Sequence, residues 1–311
     1  MEKPIQYDVI TFGDMCVDLI VTGEDVVPRF GQVEKLVEDY VLEMGGSCCI
    51  FACQAARLGL RVGILGRVGD DDFGHLIIRR LNECGVDTSP VIVDPTLKTG
   101  IGVALCQGND RAILTYLGSL NAIEGSDVTD DFLASARHLH HGSYFLHTHL
   151  KPHMPRIFQR ARAIGLTTSL DTNWDPEEKW NSTLLEILPL TDIFMPNEQE
   201  ILQITRQATI QDAIRDLQIY GVSTVVVKRG EDGAQLYVDG HKTAECILAP
   251  VAGGDSVGAG DSFDAGFLAG WLCQISMERS LEIACLCGRA VAGAIGGLAG
   301  QPTWENVCTK G

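Results

Sequence analysis

Asp255-Ser256-Val257-Gly258-Ala259-Gly260-Asp261 is the stretch on which the reading of this chain turns. It precedes an apolar run, Ser262 to Cys273, that reads as a buried helix. Small residues at a helix start leave backbone N–H groups bare and pointing one way. Such a mouth attracts anions, because unpaired donors and the helix dipole add. Asp261 stands at the same mouth, where a carboxylate should repel an anion. It therefore needs a reason to be there. One reason is proton removal from a hydroxyl about to attack phosphorus; the other is a plain N-cap aspartate.

Outward from this stretch, strand-like and helix-like segments alternate. Val9 to Phe12, Val62 to Leu65, Leu166 to Leu170, Asp192 to Met195 and Thr224 to Val227 read as strands. Ser47 to Leu58, Phe73 to Cys84, Met154 to Ile164, Glu198 to Ile204 and Ile210 to Tyr220 have helical spacing. The rhythm predicts an α/β layer with a mostly parallel sheet. Two places break it. Val17–Thr22 and Lys35–Leu42 have no good helix between them, and Ile101–Cys106 with Ala112–Leu117 forms a hairpin pattern around Gly108-Asn109-Asp110. These four segments predict a small antiparallel sheet apart from the main body, suited to a lid that excludes water.

The chain has 311 residues, of which 45 % are hydrophobic, so an ordered core is expected. A formal charge of −17 argues against a nucleic-acid surface, which needs clustered Lys and Arg. Eleven cysteines are spread along apolar runs without a Cys-x-x-Cys pair, as expected of reduced thiols in the cytoplasm. The polar start and the broken apolar stretches predict neither a signal peptide nor a membrane span.

Gly45-Gly46, a helix, Arg57-Leu58-Gly59 and then Gly66-Arg67-Val68-Gly69-Asp70-Asp71-Asp72-Phe73-Gly74 follow one another in order. This series resembles the N-terminal signature of the ribokinase-like (PfkB) carbohydrate kinases, and Asp255 to Phe267 resembles their C-terminal signature. Gly13-Asp14 and Asn197-Glu198-Gln199-Glu200 extend the likeness over nearly the whole chain. The resemblance implies a ribokinase-like three-layer α/β core, with a mostly parallel central sheet and a small β-sheet lid. The core would comprise residues 1–13, 46–97 and 119–311, and the discontinuous lid residues 14–45 and 98–118. It also implies ATP-dependent phosphorylation of an alcohol on a small sugar, sugar acid or nucleoside, and a homodimer through the lid.

The same resemblance assigns roles. Asp261 matches the catalytic base, and Gly258, Ala259 and Gly260 would offer amides to the charge on the transferred phosphoryl group. Asn197 would serve the nucleotide site and Glu200 the magnesium ion through water; the spacing equally fits an ordinary helix cap. Lys228, Gly230 and Gly233 would approach the ATP phosphates, or form a tight turn. Asp14, Asp18, Gly45, Gly46 and Ser47 would bind the sugar, carboxylates being apt acceptors for hydroxyls. A monovalent cation, potassium, is allowed near Asp255. Two departures stand out. Asp175 occupies a place where arginine is common, which removes a cation from the acceptor region. Ile50 replaces an asparagine that helps hold the sugar, so another residue such as Ser47 does that work, the substrate has an apolar part, or sugar binding is impaired.

Six of the eight histidines lie between His138 and His153, and they read as exposed strand-end and loop residues, or one substrate contact, rather than a metal site. A dinucleotide oxidoreductase lacks its Gly-x-Gly-x-x-Gly here, since Gly13 is followed by Asp14-Met15-Cys16, and no Gly-x4-Gly-Lys-Ser/Thr occurs. A nucleoside kinase, and a non-catalytic sugar- or nucleotide-binding regulator on the same scaffold, stay open as alternatives.

Overall fold

In chain order the strands are β1 (Tyr7–Phe12), β2 (Cys16–Thr22), β3 (Asp39–Gly45), β4 (Val62–Leu65), β5 (Arg67–Gly69), β6 (Ile92–Asp94), β7 (Gly100–Gln107), β8 (Asp110–Tyr116), β9 (Ala136–His141), β10 (Thr167–Leu170), β11 (Ile193–Phe194), β12 (Thr224–Lys228), β13 (Ala234–Val238) and β14 (His241–Cys246). The helices are α1 (Ser47–Arg57), α2 (Asp72–Glu83), α3 (Asp130–Leu133), α4 (Met154–Ala163), α5 (Leu184–Ile187), α6 (Glu198–Thr205), α7 (Ile210–Ile219), α8 (Ala259–Leu272), α9 (Met277–Ala292) and α10 (Trp304–Cys308). These come from a computed structural model that describes residues 5–107, 110–180, 183–249, 251, 254 and 256–308.

The central sheet runs β14-β13-β12-β11-β10-β9-β1-β4. Its pairs from β4 to β12 are parallel, and β13 and β14 close one edge antiparallel. Parallel strands must be covered on both faces, which is why Val9, Ile10 and Phe12, or Val225 to Val227, are apolar without alternation. On one face α1, α8 and α9 pack Cys48, Phe51, Phe267 and Ile283 into a single cluster. On the other, α4, α6 and α7 contribute Ile157, Phe158, Ile201, Ile214 and Leu217. The result is the mostly parallel α/β arrangement that the alternation predicted, in the three layers that the resemblance implied.

The second sheet runs β3-β2-β7-β8 and is mixed, not antiparallel as expected: β3 and β8 pair antiparallel with their neighbours, but β2 and β7 run parallel, which the long connection between them through α1 and α2 permits. The strand expected at Lys35–Leu42 begins four residues later and continues to Gly45. The seven residues of β2 pair one to one with Asp39–Gly45, Cys16 opposite Gly45 and Thr22 opposite Asp39, so the earlier residues have no partner strand. β7 and β8 form the expected antiparallel pair; Gly108 and Asn109 of its turn lie outside the described residues. Alternation gives this sheet two different faces. Val17, Leu19, Val21, Tyr40, Leu42, Ile101, Val103, Leu114 and Tyr116 share one face by register. Cys16, Asp18, Ile20, Gly45, Gly100 and Gly102 share the other. A Cβ on Gly296 would sit 4.0 Å from Ile20 Cδ1, so the second face looks toward the main body.

Three further expectations are corrected. α8 begins at Ala259, not Ser262, which places Asp261 inside the first turn. The strand expected over Asp192–Met195 has only Ile193 and Phe194 in the ladder. His138, His140, His141 and His147 are buried, because β9 is an interior strand and the segment after it folds back over the sheet edge. His149 and His153 are exposed as expected. All eleven cysteines are free thiols. Among the described residues, no helix is long and apolar enough to cross a membrane.

Candidate active site

Several of the predicted site residues lie at the C-terminal edge of the parallel strands, whereas Asp18 and Gly45 belong to the small sheet. β1 hands over to Asp14, β9 to Ser143, β10 to Asp171 and Asn173, and β12 ends on Lys228, while α1 and α8 start at the same edge. β1 is flanked by β4, which follows it through α1, and by β9, which comes later in the chain. Crevices at such reversals of strand order are where open α/β sheets hold ligands.

Gly258 caps α8 with φ 71°, a left-handed conformation that a side chain would strain. Packing adds to this, since a Cβ there would stand 2.8 Å from Gly297 Cα. The first intrahelical bond runs from Ser262 N to Gly258 O at 2.9 Å. The amides of Gly260 and Asp261 therefore precede the hydrogen-bonded ladder, while that of Ala259 makes a 3.3 Å turn contact with Ser256 O. Lys228 stands behind this mouth: its Nζ would be 3.6 Å from a Cβ built on Gly260.

Lys228 does not reach outward. Its Nζ donates to Asp171 Oδ2 at 2.9 Å and to both carboxylate oxygens of Asp264 at 3.2 Å. Burial alone would lower its pKa, but the pull of Asp171, Asp264 and Glu200 outweighs that and holds it above the ordinary lysine range. One cation against so many acids leaves the acids strained. Burial, then Asp171 and Asp14, push Asp261 up to about 8, while Lys228 and the Ser47 hydroxyl pull the other way. Burial raises Asp264 well above the carboxylate range despite Lys228. Asp171 Oδ1 is buried without a hydrogen-bond partner among the described residues.

Among the residues expected to bind the acceptor, Asp14 Oδ2 accepts from Ser47 N at 2.8 Å, so the end of β1 caps the start of α1. His147 Nε2 lies 3.6 Å from Asp14 Oδ1. Burial works to raise the Asp14 pKa, but His147 and the Ser47 amide more than offset it and hold Asp14 below the ordinary aspartate value. Asp18 lies on the inward face of the small sheet. A Cβ on Gly45 would collide with its carboxylate, and one on Gly102 would stand 2.7 Å from Asp18 Oδ1. Gly46, at φ 95°, makes the turn into α1. Asn173 Nδ2 donates to Ser47 Oγ at 2.9 Å and to Ser143 Oγ at 2.8 Å. The two departures resolve differently. Asp175 is buried and caps its own loop, accepting from the amides of Glu177, Lys179 and Trp180 at 2.8–3.0 Å. Ile50 is 3 % exposed and packs against Gly258 and Gly297.

Among the residues expected to serve the nucleotide, Asn197 and Glu200 close a full capping box on α6. Asn197 Oδ1 accepts from Glu200 N at 2.8 Å, and Glu200 Oε2 accepts from Asn197 N at 2.9 Å. Burial and Asp171 push Glu200 up to about 7. Gly230, φ 57°, opens onto free space, whereas Gly233 is pressed against the Cys246 carbonyl. Asp255 lies outside the described residues. Among them, no group of three or more His, Cys, Asp or Glu is set to hold a metal ion. The donors nevertheless suit a sparsely held magnesium: excess carboxylates and the orphaned Asp171 Oδ1 face one edge. Sequence reasoning missed Asp264. An aspartate three residues after Asp261, within an apolar helix, was the available sign of a buried ion pair.

A family model described as pfkB family carbohydrate kinase matches residues 6–304. The ATP-dependent ribose-1-phosphate kinase of Halopiger xanaduensis is 30 % identical, with 81 % of each chain covered. The 2-dehydro-3-deoxygluconokinase of Thermoproteus tenax is 30 % identical, with 90 % of each covered. Among solved structures, an Escherichia coli protein provisionally described as ribokinase II, in complex with ATP and Mg2+, superposes with a TM-score of 0.85 at 27 % identity, over 97 % of this chain and 98 % of the other. Arabidopsis thaliana ribokinase with ribose and ATP shares the fold, with a TM-score of 0.84 at 23 % identity over 97 % and 98 %.

Proposed function

The chain belongs to the pfkB family of carbohydrate kinases, and from that premise we propose that Asp261 is the base of an in-line transfer from ATP to a hydroxyl of a small sugar or related polyol. The observation that carries this reading is Asp261 in the first turn of α8, beside amides that precede the helix ladder and in front of Lys228. In the proposed step the acceptor hydroxyl donates to Asp261. Its oxygen bonds to the γ-phosphorus, the bond from that phosphorus to the bridging oxygen breaks, and ADP leaves. The proton ends on Asp261. The α8 mouth, formed by Gly258, Ala259 and Gly260, faces the oxygens on which charge builds.

Asp14, Asp18, Gly45, Gly46 and Ser47 hold the acceptor, and Asn197, Lys228, Gly230 and Gly233 line the nucleotide side, Lys228 through its charge rather than by direct contact. Glu200 and Asp171 would hold magnesium through water, and the ion supplies neutralisation of phosphate charge when bound. Residues 14–45 and 98–118 act as the lid. Its outward face presents exposed Tyr40, Leu42, Leu114 and Tyr116, which favours pairing with a second copy. Potassium at Asp255 is retained on the family resemblance alone. Cytoplasmic residence is supported by the free thiols.

The test is Asp261→Asn, assayed for ADP release over a panel of sugars, sugar acids and nucleosides. Turnover should fall by a factor on the order of 10² or more with ATP affinity nearly unchanged. Near-normal turnover in the variant would remove Asp261 from the role.

A further inference from the structure

A chain of hydrogen bonds runs along β9 and β10 toward the edge where Asp171 and Ser143 lie. Thr167 Oγ1 stands 3.4 Å from Arg137 O and 2.8 Å from His138 Nδ1. His138 Nε2 stands 2.7 Å from Ser169 Oγ, which stands 2.9 Å from His140 Nδ1. The register sets this order: His138 lies opposite Thr167 and His140 opposite Ser169 across the parallel pair. Phe51 of α1 stacks on the His140 ring, with centroids 3.9 Å apart, and fixes its plane. Both histidines are buried, and their ring nitrogens meet only hydroxyls among the described residues. Burial pushes His138 down to about 3 and His140 well below the ordinary histidine range, so both rings are uncharged.

A neutral imidazole has one N–H and one bare nitrogen, so the chain can run in two directions. If Thr167 donates to His138, each later hydrogen passes on toward His140. Arg137 O then gains nothing from Thr167, and the His140 Nε2 hydrogen has no acceptor. If Thr167 donates to Arg137 O, it accepts from His138 Nδ1. Ser169 then donates to His138 Nε2 and accepts from His140 Nδ1. The second direction makes one more bond and strands no buried donor, so it is favoured. It leaves His140 Nε2 as a bare lone pair.

No protein donor among the described residues meets that lone pair. Thr11, opposite His140 in the register with β1, has a buried hydroxyl without a hydrogen bond. Lys228 is engaged by Asp171 and Asp264. Beyond the ring lies the start of α1. A Cβ built on Gly142 would stand 3.7 Å from His140 Nε2 and 3.6 Å from Ser47 Cβ, so this glycine keeps the space between them open. Ser47 in turn donates its amide to Asp14 Oδ2 at 2.8 Å.

We infer that His140 is a specificity-determining residue whose Nε2 accepts a hydroxyl hydrogen of the acceptor substrate, with Thr167, His138 and Ser169 holding its tautomer. The inference rests on the reading of Asp14 and Ser47 as acceptor-binding residues. A bare ring nitrogen selects a hydroxyl at that place over a carbonyl or a carboxylate, whose lone pairs it repels.

The test is calorimetric binding of the best acceptor from a panel of sugars, sugar acids and nucleosides, and of its monodeoxy analogues. His140→Phe keeps a ring on Phe51 and removes both nitrogens. The parent acceptor should bind about tenfold more weakly to this variant, with ATP affinity unchanged. One deoxy analogue, lacking the hydroxyl that meets Nε2, should bind both proteins equally. Ser169→Ala, which frees the His140 tautomer, should give a smaller loss on the same hydroxyl. A loss equal across the deoxy series, or shared by ATP, makes His140 a packing residue and overturns the inference. If Asp14→Asn weakens the acceptor and His140→Phe does not, this inference alone falls. If Asp14→Asn leaves acceptor affinity unchanged, or no compound of the panel binds, the acceptor reading falls and this inference with it.

Discussion

Ile50 lies directly beneath Gly258: a Cβ added to that glycine would stand 2.9 Å from Ile50 Cγ2. Ile50, where an asparagine was expected, is a packing post under the turn that opens α8. Gly297 closes the other side, since a Cβ there would lie 2.5 Å from Ile50 Cδ1. Sequence and function are linked here through packing. An apolar branch on α1 fixes the height of a backbone turn whose amides face the site.

Ile50→Ala should therefore act on stability and turnover together. Deleting three carbons from a buried site costs about 2–4 kcal/mol. The turn above loses its support, so kcat should drop while the acceptor KM moves little. Thermal unfolding and steady-state kinetics check this. A stable variant with a raised acceptor KM and unchanged kcat would return Ile50 to the sugar side.

The Asp261 carboxyl, pushed up to about 8 chiefly by burial and then by Asp171 and Asp14, must be ionised to act as a base. kcat/KM reports the free enzyme, so its acid limb should lie near that value and activity should rise with pH through it. Bound nucleotide changes the local charge, so the limb in kcat need not coincide. A pH profile flat from 6 to 9 would contradict the assignment.

The same shift has a stability consequence. The folded pKa lies above the unfolded one, so the stability linked to Asp261 is fully present below about 3.9 and is lost as pH rises toward about 8. Asp261→Asn removes that penalty. Its melting temperature should exceed the wild type's by a margin that grows between pH 5 and pH 8. A margin that shrinks over this range would reverse the sign argued here.

Much of this was legible in the sequence, and the reason is local. The α/β rhythm shows because parallel strands are covered on both faces and read as short apolar runs, as at Val62–Leu65. The α8 mouth shows because small residues and an acid mark a helix start in the sequence alone. The start of β3 was misplaced because strand ends depend on a partner, and β2 supplies only seven residues. The inward turn of Lys228 was invisible, since Asp171 and Asp264 lie 57 and 36 residues from it and meet it only in the folded sheet. The buried histidines were hidden for the same reason: nothing near His138 announces that Thr167 and Ser169 will satisfy its ring at 2.8 and 2.7 Å.

His147 offers a sharper test of the proposed acceptor-binding role of Asp14. It is buried, with neither ring nitrogen in a regular hydrogen bond, and it touches Asp14 through Nε2. His147→Ala should raise the acceptor KM about tenfold, the equivalent of ~1.4 kcal/mol, with the ATP KM unchanged. His147→Gln, which can place an amide donor near the same carboxylate, should recover most of the loss. Equal effects of both variants on ATP and acceptor would assign His147 to folding alone.

Lys228→Met isolates the role of the buried cation. In the wild type the ammonium sits between Asp171 and Asp264, each nearly sealed from solvent. Removing it leaves two carboxyls facing one another with no counter-charge. Breaking a buried pair from one side costs about 3–5 kcal/mol, more than most single changes. Asp264 would respond by staying protonated, which limits the damage at low pH. The variant should therefore be closest to wild-type stability near pH 5 and fall furthest behind near pH 8. Adding Asp264→Asn removes one of the stranded carboxyls and should restore part of the loss, a coupling that a double-mutant cycle in thermal unfolding measures. Activity should not return with stability, because the charge behind the α8 mouth is still missing. Recovery of turnover in the double variant would show that Lys228 serves only to neutralise its neighbours.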